Sequence, residues 1–548
     1  MKIQKVIIKN FKIFKEFEID FNEDLNIFVG DNETGKSIIL EAINLVLTGK
    51  LSNSFLLNDI SPYLFNKEIA DEYIKKIKND NKPRPPEILI EVYFYDTEIN
   101  ADFNLSGGEH SLVEGDYIGI CLEIKLNDEF RDIYSDYIKE NKEIIKTIPT
   151  EYYTVSRRDF SASKKNITVY EKKYQPIFVD TTTINIQNDN DYFVQNMIHR
   201  TLDIGEQKKL SIEYKHLKEA FSSKPDIKKI NNALTKNCDI TDSGSMNISL
   251  DISSRNNWLR NLVSYVDDIP LFFIGKGKQN KIKINLALNK GEEISDIVLI
   301  DEPENHLSFP RLNSLINNIR DKSENKQLII TTHSHFITNK LGLSKLIILN
   351  HKQKKPLYLH EDLPQDTQKY FQKLSDYDTL RLALSRKAIL VEGPSDSLIV
   401  QKIYQQTYDN LPIEDFNPID IITVNGLSFK RFLDIAKHLT SKIAVITDND
   451  GRNNNRIDNL IEYKSDSIKI FTDADAINSM TLEPSLINAG NNELLIKQIL
   501  GKENLSKDEL VEYMSGANKT DVALKIFESE IKIAVPSYIN SAIEYVKN

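Results

Sequence analysis

Two cysteines in 548 residues, Cys121 and Cys238, lie too far apart to suggest a disulfide framework, and no C-x-x-C pair offers a zinc site. No apolar run approaches the roughly 18 residues of a membrane span. The N-terminus runs directly into a strand-like segment bearing Lys and Asn, not a signal peptide. A cytoplasmic protein without membrane contact is expected. A basic surplus is missing too: Lys+Arg 70 against Asp+Glu 81 gives a formal charge of −11, which excludes a bulk nucleic-acid binder. DNA contact would have to come from local patches, either Arg157-Arg158 with Lys164-Lys165 or Lys208-Lys209 with Lys215 and Lys218. Repeats, low-complexity tracts and sustained heptads are absent, so a long coiled coil is not expected. At ~150 residues per domain, the length implies three or four domains.

What is present begins with Gly30-Asp31-Asn32-Glu33-Thr34-Gly35-Lys36-Ser37, a complete G-x-x-x-x-G-K-S loop. It follows the apolar strand Leu25-Asn26-Ile27-Phe28-Val29 and precedes Ile38-Ile39-Leu40-Glu41-Ala42-Ile43, which has helical spacing. Backbone N–H groups of the loop, Asn32 and Gly35 among them, can wrap a triphosphate at a helix N-terminus. Lys36 would reach the terminal phosphates and Ser37 would hold Mg²⁺. ATP with Mg²⁺ is the cofactor expected here.

Far downstream, Ile297-Val298-Leu299-Ile300-Asp301-Glu302 reads as a buried strand delivering two carboxylates to its C-terminal edge. Asp301 is placed for the Mg²⁺ shell and Glu302 for polarising the attacking water. Glu304-Asn305-His306-Leu307-Ser308 follows, and then the strand Gln327 to Thr331 runs into His333, which can hydrogen-bond a γ-phosphate. The order resembles an ABC-type ATPase head of the SMC, Rad50 and RecF kind, with Walker B, D-loop and switch histidine in sequence. Its signature should open a helix just before Walker B. The candidate is Gly275-Lys276-Gly277-Lys278-Gln279-Asn280, with Ile282, Leu286 and Ala287 on one helical face. It departs from L-S-G-G-Q at Lys276 and Lys278, where a lysine could supply charge to phosphates in trans. No Q-loop glutamine stands out.

The C-terminal third carries a second chemistry. Lys387-Ala388-Ile389-Leu390-Val391-Glu392-Gly393-Pro394-Ser395-Asp396 is a buried-type strand, an acid, a tight turn and another acid. Lys442 to Thr447 is a second such strand, ending in Asp448-Asn449-Asp450. Carboxylates at neighbouring strand ends suit hard divalent cations. The pairing resembles the Toprim fold. That resemblance implies Glu392 as metal ligand or general acid/base, Asp448 and Asp450 as metal ligands, and Asp396 beside them.

An SMC-like head followed by Toprim resembles the OLD (overcoming lysogenization defect) family of ATP-linked nucleases, which includes the nuclease subunit of the Gabija anti-phage system. The resemblance further implies a second-metal role for Glu483 in Thr481-Leu482-Glu483-Pro484, and phosphorane stabilisation by Lys519 in Asn518-Lys519-Thr520-Asp521. The expected fold is α/β: a split ABC-type head with a helical insertion, then a C-terminal Toprim domain. Expected bounds are 1–190 and 263–352 for the head, 191–262 for the insertion as a dimerisation element, 353–385 for a connector and 386–548 for Toprim. Segments 86–96 and 117–126 alternate as antiparallel strands extending the head.

The expected activity is metal-dependent DNA endonuclease, nicking or double-strand cutting, in anti-phage defence. Mg²⁺ is expected at the Toprim site, with Mn²⁺ or Ca²⁺ as alternatives. DNA is the expected partner, with a homodimer or homotetramer because one chain holds a single P-loop and a single signature, and with a helicase-type partner subunit. The competing reading is a non-nucleolytic, SMC/RecF-like repair ATPase with a scaffold Toprim domain. A primase or topoisomerase is disfavoured, since neither a zinc segment nor a catalytic-tyrosine context is visible.

Overall fold

The computed structural model describes every residue except 32, 52–53, 57–59, 80–82, 96–109, 162–166, 168–174, 182–196, 198–201, 238–247, 249–262, 289–295, 323–325, 350–354, 360–362, 375–377, 427–428, 440, 450–454, 476 and 517–518. It divides into two compact units, Met1–Asn26 with Ser37–Thr331, and Ile27–Lys36 with Thr332–Asn548.

In the first unit an antiparallel sheet runs in the order Phe14–Asp20, Ile3–Phe11, Ile88–Phe94, Gly119–Leu126, Tyr153–Asp159. The alternation read in the sequence appears as register: Val92 faces Ile120 and Ile90 faces Leu122, and all four are buried. A parallel trio sets Ile297–Asp301 between Ile177–Asp180 and Gln327–Thr331, aligning Asp301 with both Asp180 and Thr331. Every residue of the central strand and of Gln327–Thr331 is buried, as expected of parallel strands covered on both faces. The helix Lys36–Thr48 buries Ile39, Leu40, Ile43, Val46 and Leu47, one apolar face at helical spacing.

The signature helix spans Lys276–Leu288. Its buried face is Gly277, Asn280, Ile284, Ala287 and Leu288, whereas Ile282 and Leu286 are half-buried. The face is thus turned from the expected one because Gly277 is wedged against the D-loop backbone: a Cβ there would lie 2.3 Å from the His306 carbonyl oxygen. In the 191–262 segment the described elements are helices Ile204–Ser223, with an Asp203–Glu206 capping box, and Pro225–Asn237.

In the second unit, residues Ile27–Gly30 pair in parallel with Leu346–Leu349, which pairs antiparallel with Leu357–Tyr358. Beyond lies a four-stranded, all-parallel sheet ordered Asp420–Thr423, Lys387–Val391, Lys442–Ile446, Ile468–Phe471. Its core includes Ile389, Val391, Ile403, Ala444 and Leu486, closed by Ile539 and Ile543 of the last helix. Between the two sheets run the short helices Gln365–Lys373 and Thr379–Leu384. Thr379 Oγ1 donates to Asn339 at 2.5 Å, Thr367 Oγ1 to the buried Asp434 carboxylate at 2.5 Å, and Arg381 Nε to Asp420 at 2.7 Å.

Candidate functional site

The loop that opens the first site is shaped by close approach. A Cβ on Gly30 would sit 2.6 Å from Thr34 Oγ1 and 2.9 Å from the Leu349 carbonyl, and Gly35 has φ +92°. Both positions therefore require glycine. Lys36 Nζ, buried, donates to the carbonyls of Gly30 (2.9 Å) and Asp31 (3.0 Å), inside the loop's curve. Asn32 lies outside the described residues.

Ser37 Oγ donates to Asp301 Oδ1 at 3.0 Å, and Thr331 Oγ1 donates to the same oxygen. Burial pushes the Asp301 carboxyl above the usual carboxylate range, with Asp180 and Glu302 adding repulsion and the two hydroxyl bonds opposing it. The backbone then turns sharply: Glu302 (φ 47°) and His306 (φ 62°) hold left-handed conformations uncommon for non-glycine residues. Glu302 is fixed by its own N–H to Thr331 Oγ1 (3.0 Å), by Asn305 Nδ2 donating to Oε2 (2.9 Å), and by Thr181 Oγ1 donating to its carbonyl (2.6 Å).

Asn280 Nδ2 donates to the Asn305 carbonyl, so signature helix and D-loop are bonded as well as wedged. Lys276 is exposed, and the exposed Lys278 pairs with Asp267 at 2.9 Å. His333 is exposed, one residue before the Ser334 cap of helix His335–Leu341. The sequence singled out neither Thr181 nor Asp180, while Asn305 fell within the expected D-loop. Their signal was faint, a four-residue strand, Ile177–Asp180, ending in an acid as Ile297–Asp301 does.

The second site lies at the C-terminal edge of the parallel sheet, where Glu392 and Asp448 leave adjacent strands. Asp396, in the first turn of helix Pro394–Tyr408, accepts from the Gly393 N–H at 3.2 Å, and Thr447 Oγ1 donates to Glu392 Oε1 at 3.3 Å. Glu483, nearly fully buried, pairs with Lys519 Nζ at 2.8 Å and accepts from Thr481 Oγ1 at 3.1 Å. These groups repel one another. Asp448 is pushed up to about 7 by burial, then by Glu392, Asp396 and Glu483, with Lys519 opposing. Asp396 is pushed up to about 6, again chiefly by burial. Lys519 is desolvated, yet Glu483, Asp396 and Asp448 hold its ammonium above the ordinary value.

Among the described residues no three His, Cys, Asp or Glu side chains converge closely enough to form a finished metal cage. Asp450 lies outside the described residues. The donor set nonetheless fits a hard dication: oxygen ligands only, mutually repelling and partly buried. Asn449, between the two acids, is buried and was not singled out from sequence. Its Nδ2 lies 3.0 Å from the carbonyl of Asp473 and 3.1 Å from those of Asp475 and Ser479, while its N–H donates to Met480.

The two basic patches fare differently. Arg157 donates one bond to the Leu47 carbonyl at 3.4 Å and Arg158 one to that of His110 at 3.2 Å. Lys164-Lys165 lie outside the described residues. On helix Ile204–Ser223, Lys218 is buried over the Tyr214 ring, while Lys208, Lys209 and Lys215 are exposed.

A P-loop bonded to a Walker B aspartate, with a signature helix against the D-loop, and on the same chain a parallel sheet with an acidic C-terminal edge, together define an ABC-type ATPase head joined to a Toprim domain. The chain belongs to the AAA ATPase domain family, whose model matches residues 1–338. A second model, described as the overcoming lysogenization defect protein-like TOPRIM domain, matches residues 384–450. Domains of these two kinds use nucleotide and divalent metal.

Among curated relatives, an ATP/GTP phosphatase of Helicobacter pylori is 27% identical over 61% of this chain and 85% of its own length. Endonuclease GajA of Bacillus cereus is 21% identical over 82% of this chain and 75% of its own. The solved C-terminal region of the Burkholderia pseudomallei OLD protein aligns with 30% of this chain and 97% of its own, at 19% identity and a TM-score of 0.25. No helix among the described residues is long and apolar enough to cross a membrane.

Proposed function

We propose that the chain is an ATP-binding, metal-dependent DNA endonuclease of the OLD type, whose ATPase head regulates the Toprim site. The observation that carries this reading is the carboxylate set around Asp448, with Lys519 as its counter-charge, at the strand ends where Toprim chemistry belongs. Glu392 and Asp448, with Asp396 and Glu483 beside them and Asp450 as a further ligand expected from sequence, would hold Mg²⁺, or Mn²⁺ or Ca²⁺ in its place. The metal, when bound, supplies Lewis-acid activation of water and charge stabilisation at the leaving 3′ oxygen.

The chain's own residues do the rest. Glu392 accepts the proton of the attacking water, the P–O3′ bond breaks as the new P–O bond forms, and the 3′ oxygen leaves as an alcohol on taking a proton from solvent water. Lys519, steered by Glu483, sits beside the charge that builds on the phosphorane oxygens. In the head, Lys36 binds the terminal phosphates, Ser37 and Asp301 carry the Mg²⁺ shell, Glu302 orients water and His333 touches the γ-phosphate. Gly277 and Lys278 of a second copy would complete each nucleotide site, which calls for a homodimer or homotetramer. The GajA likeness supports the endonuclease reading, and we further propose, on the family resemblance alone, a role in anti-phage defence with a helicase-type partner subunit.

The test is purified protein with supercoiled plasmid and Mg²⁺ or Mn²⁺, with and without ATP. Nicking by the wild type and none by Asp448→Ala or Glu392→Ala is expected. Cutting at wild-type rate by both variants overturns the nuclease reading and favours a scaffold Toprim in a repair ATPase.

A further inference from the structure

The first unit carries a half-open cavity of about 700 Å³, within the size range of small-molecule sites. Helix Lys67–Lys78, helix Arg131–Asn141 and the segments around Glu87 and Leu126 line it. Among its described lining residues there is none from the P-loop, the Walker B strand or the Toprim edge.

One wall is apolar: Ile77, Pro83, Pro85, Leu126 and Ile138. Tyr73 and Tyr134 also line it, their buried hydroxyls 2.7 Å apart and bonded to each other. The polar part is charged. Arg84, Lys125, Arg131, Lys139 and Lys142 line it with Glu87 and Asp128, and Glu123 and Asp136 pair with two of the lysines from outside the lining, so five cations meet four carboxylates. Most of these cations are engaged: Arg131 with Asp128 at 2.6 Å, Lys139 with Asp136 at 2.9 Å, Lys125 with Glu123 at 2.7 Å. Arg84 has no hydrogen-bond or ion-pair partner among the described residues.

An arginine fork open at the mouth of an apolar cavity suits a phosphate oxyanion. Glu87 adds an acceptor for an amino or hydroxyl group. Inorganic phosphate would leave the apolar wall unused, and an acyl anion would set hydrocarbon against Glu87. A nucleoside phosphate answers all three features. We propose that this cavity is a nucleotide site separate from the P-loop, with base and sugar on the apolar wall and phosphate at Arg84. The same chemistry could come from a free nucleotide or from a nucleotide within a DNA strand.

The full chain carrying Lys36→Ala, which disables the P-loop, is titrated by calorimetry in EDTA, which withholds metal from the Toprim acids. The probes are dAMP and a ten-residue oligothymidylate. Two further variants are compared: Arg84→Glu reverses the open charge, and Ser135→Trp fills the cavity from an exposed position without changing charge. Binding of dAMP below about 1 mM, weakened at least about tenfold by both variants, is the expected result and identifies a free nucleotide. The same double loss seen with oligothymidylate alone identifies a strand-borne one. The proposal falls if neither probe binds, or if Ser135→Trp leaves binding intact, since the anion would then sit on the rim and not in the cavity. Plasmid nicking by these chains is scored separately, so failure of the nuclease reading is not mistaken for failure of this one.

Discussion

Ser37 Oγ donates to Asp301 Oδ1 across 264 positions of sequence, so the P-loop serine and the Walker B aspartate are bonded within one unit. Glu302, the next residue, is held at a left-handed φ by Thr331, Asn305 and Thr181. Asp301 and Glu302 therefore have separable roles. Lys36→Ala should weaken ATP binding by about tenfold or more through loss of a charge-assisted contact. Glu302→Gln should bind ATP and hydrolyse it at least about a hundredfold more slowly. Calorimetry and phosphate release distinguish the two; equal nucleotide affinity in wild type and Lys36→Ala would refute the P-loop assignment.

At the Toprim edge, Glu483→Gln removes the ion-pair partner of Lys519 but leaves the lysine charged. Nicking should fall roughly tenfold, while Lys519→Met should fall further. Comparable rates for wild type and Lys519→Met would remove Lys519 from the reaction.

Asn449 offers a test of positioning. Asn449→Ala withdraws its side-chain donors from the carbonyls of Asp473, Asp475 and Ser479, of which Ser479 is buried, at about 1–3 kcal/mol, and releases the segment after Asp448 from them. A raised metal requirement for nicking, with folding retained by circular dichroism, is expected. An unchanged metal titration curve would reduce Asn449 to a purely structural residue.

A pH effect should arise far from either site. Hydrogen bonds from Tyr404 and Lys547 hold the Asp415 carboxyl well below the usual range. Because the folded value is depressed, its stabilisation is full above the unfolded value of about 3.9 and is lost as pH falls below it. The melting-temperature gap between wild type and Asp415→Asn should be constant from pH 7 to 5 and shrink by pH 3. A gap that widens on acidification would contradict this.

Composite nucleotide sites can be tested by mixing. A Lys36→Ala chain and a Lys278→Glu chain should each be inactive alone, and a mixed pair retains one intact site. Partial recovery of hydrolysis is expected. Full activity in a demonstrated monomer would exclude the arrangement.

Much of this architecture was legible because strand ends carry their chemistry in short contiguous words: Gly30 to Ser37, Ile297 to Glu302, Lys387 to Asp396. Period-two alternation likewise located Ile88–Phe94 and Gly119–Leu126. What escaped was whatever depends on a partner distant in sequence. Thr181 reads as one threonine among several until the carbonyls of Asp301 and Glu302 lie beside it. The rotation of the signature helix was hidden for the same reason, since Gly277 is buried by His306 and Leu307, which follow it by about thirty positions.

The helix that begins two residues after His333 packs against both short helices between the sheets, and the second of these packs against strand Asp420–Thr423. Asn339, Thr379, Arg381 and Asp420 bond along that line. Mechanically, this is a strut and not a swivel. The segment that follows the histidine is thereby tied, by contact and hydrogen bond, to the outermost strand of the Toprim sheet.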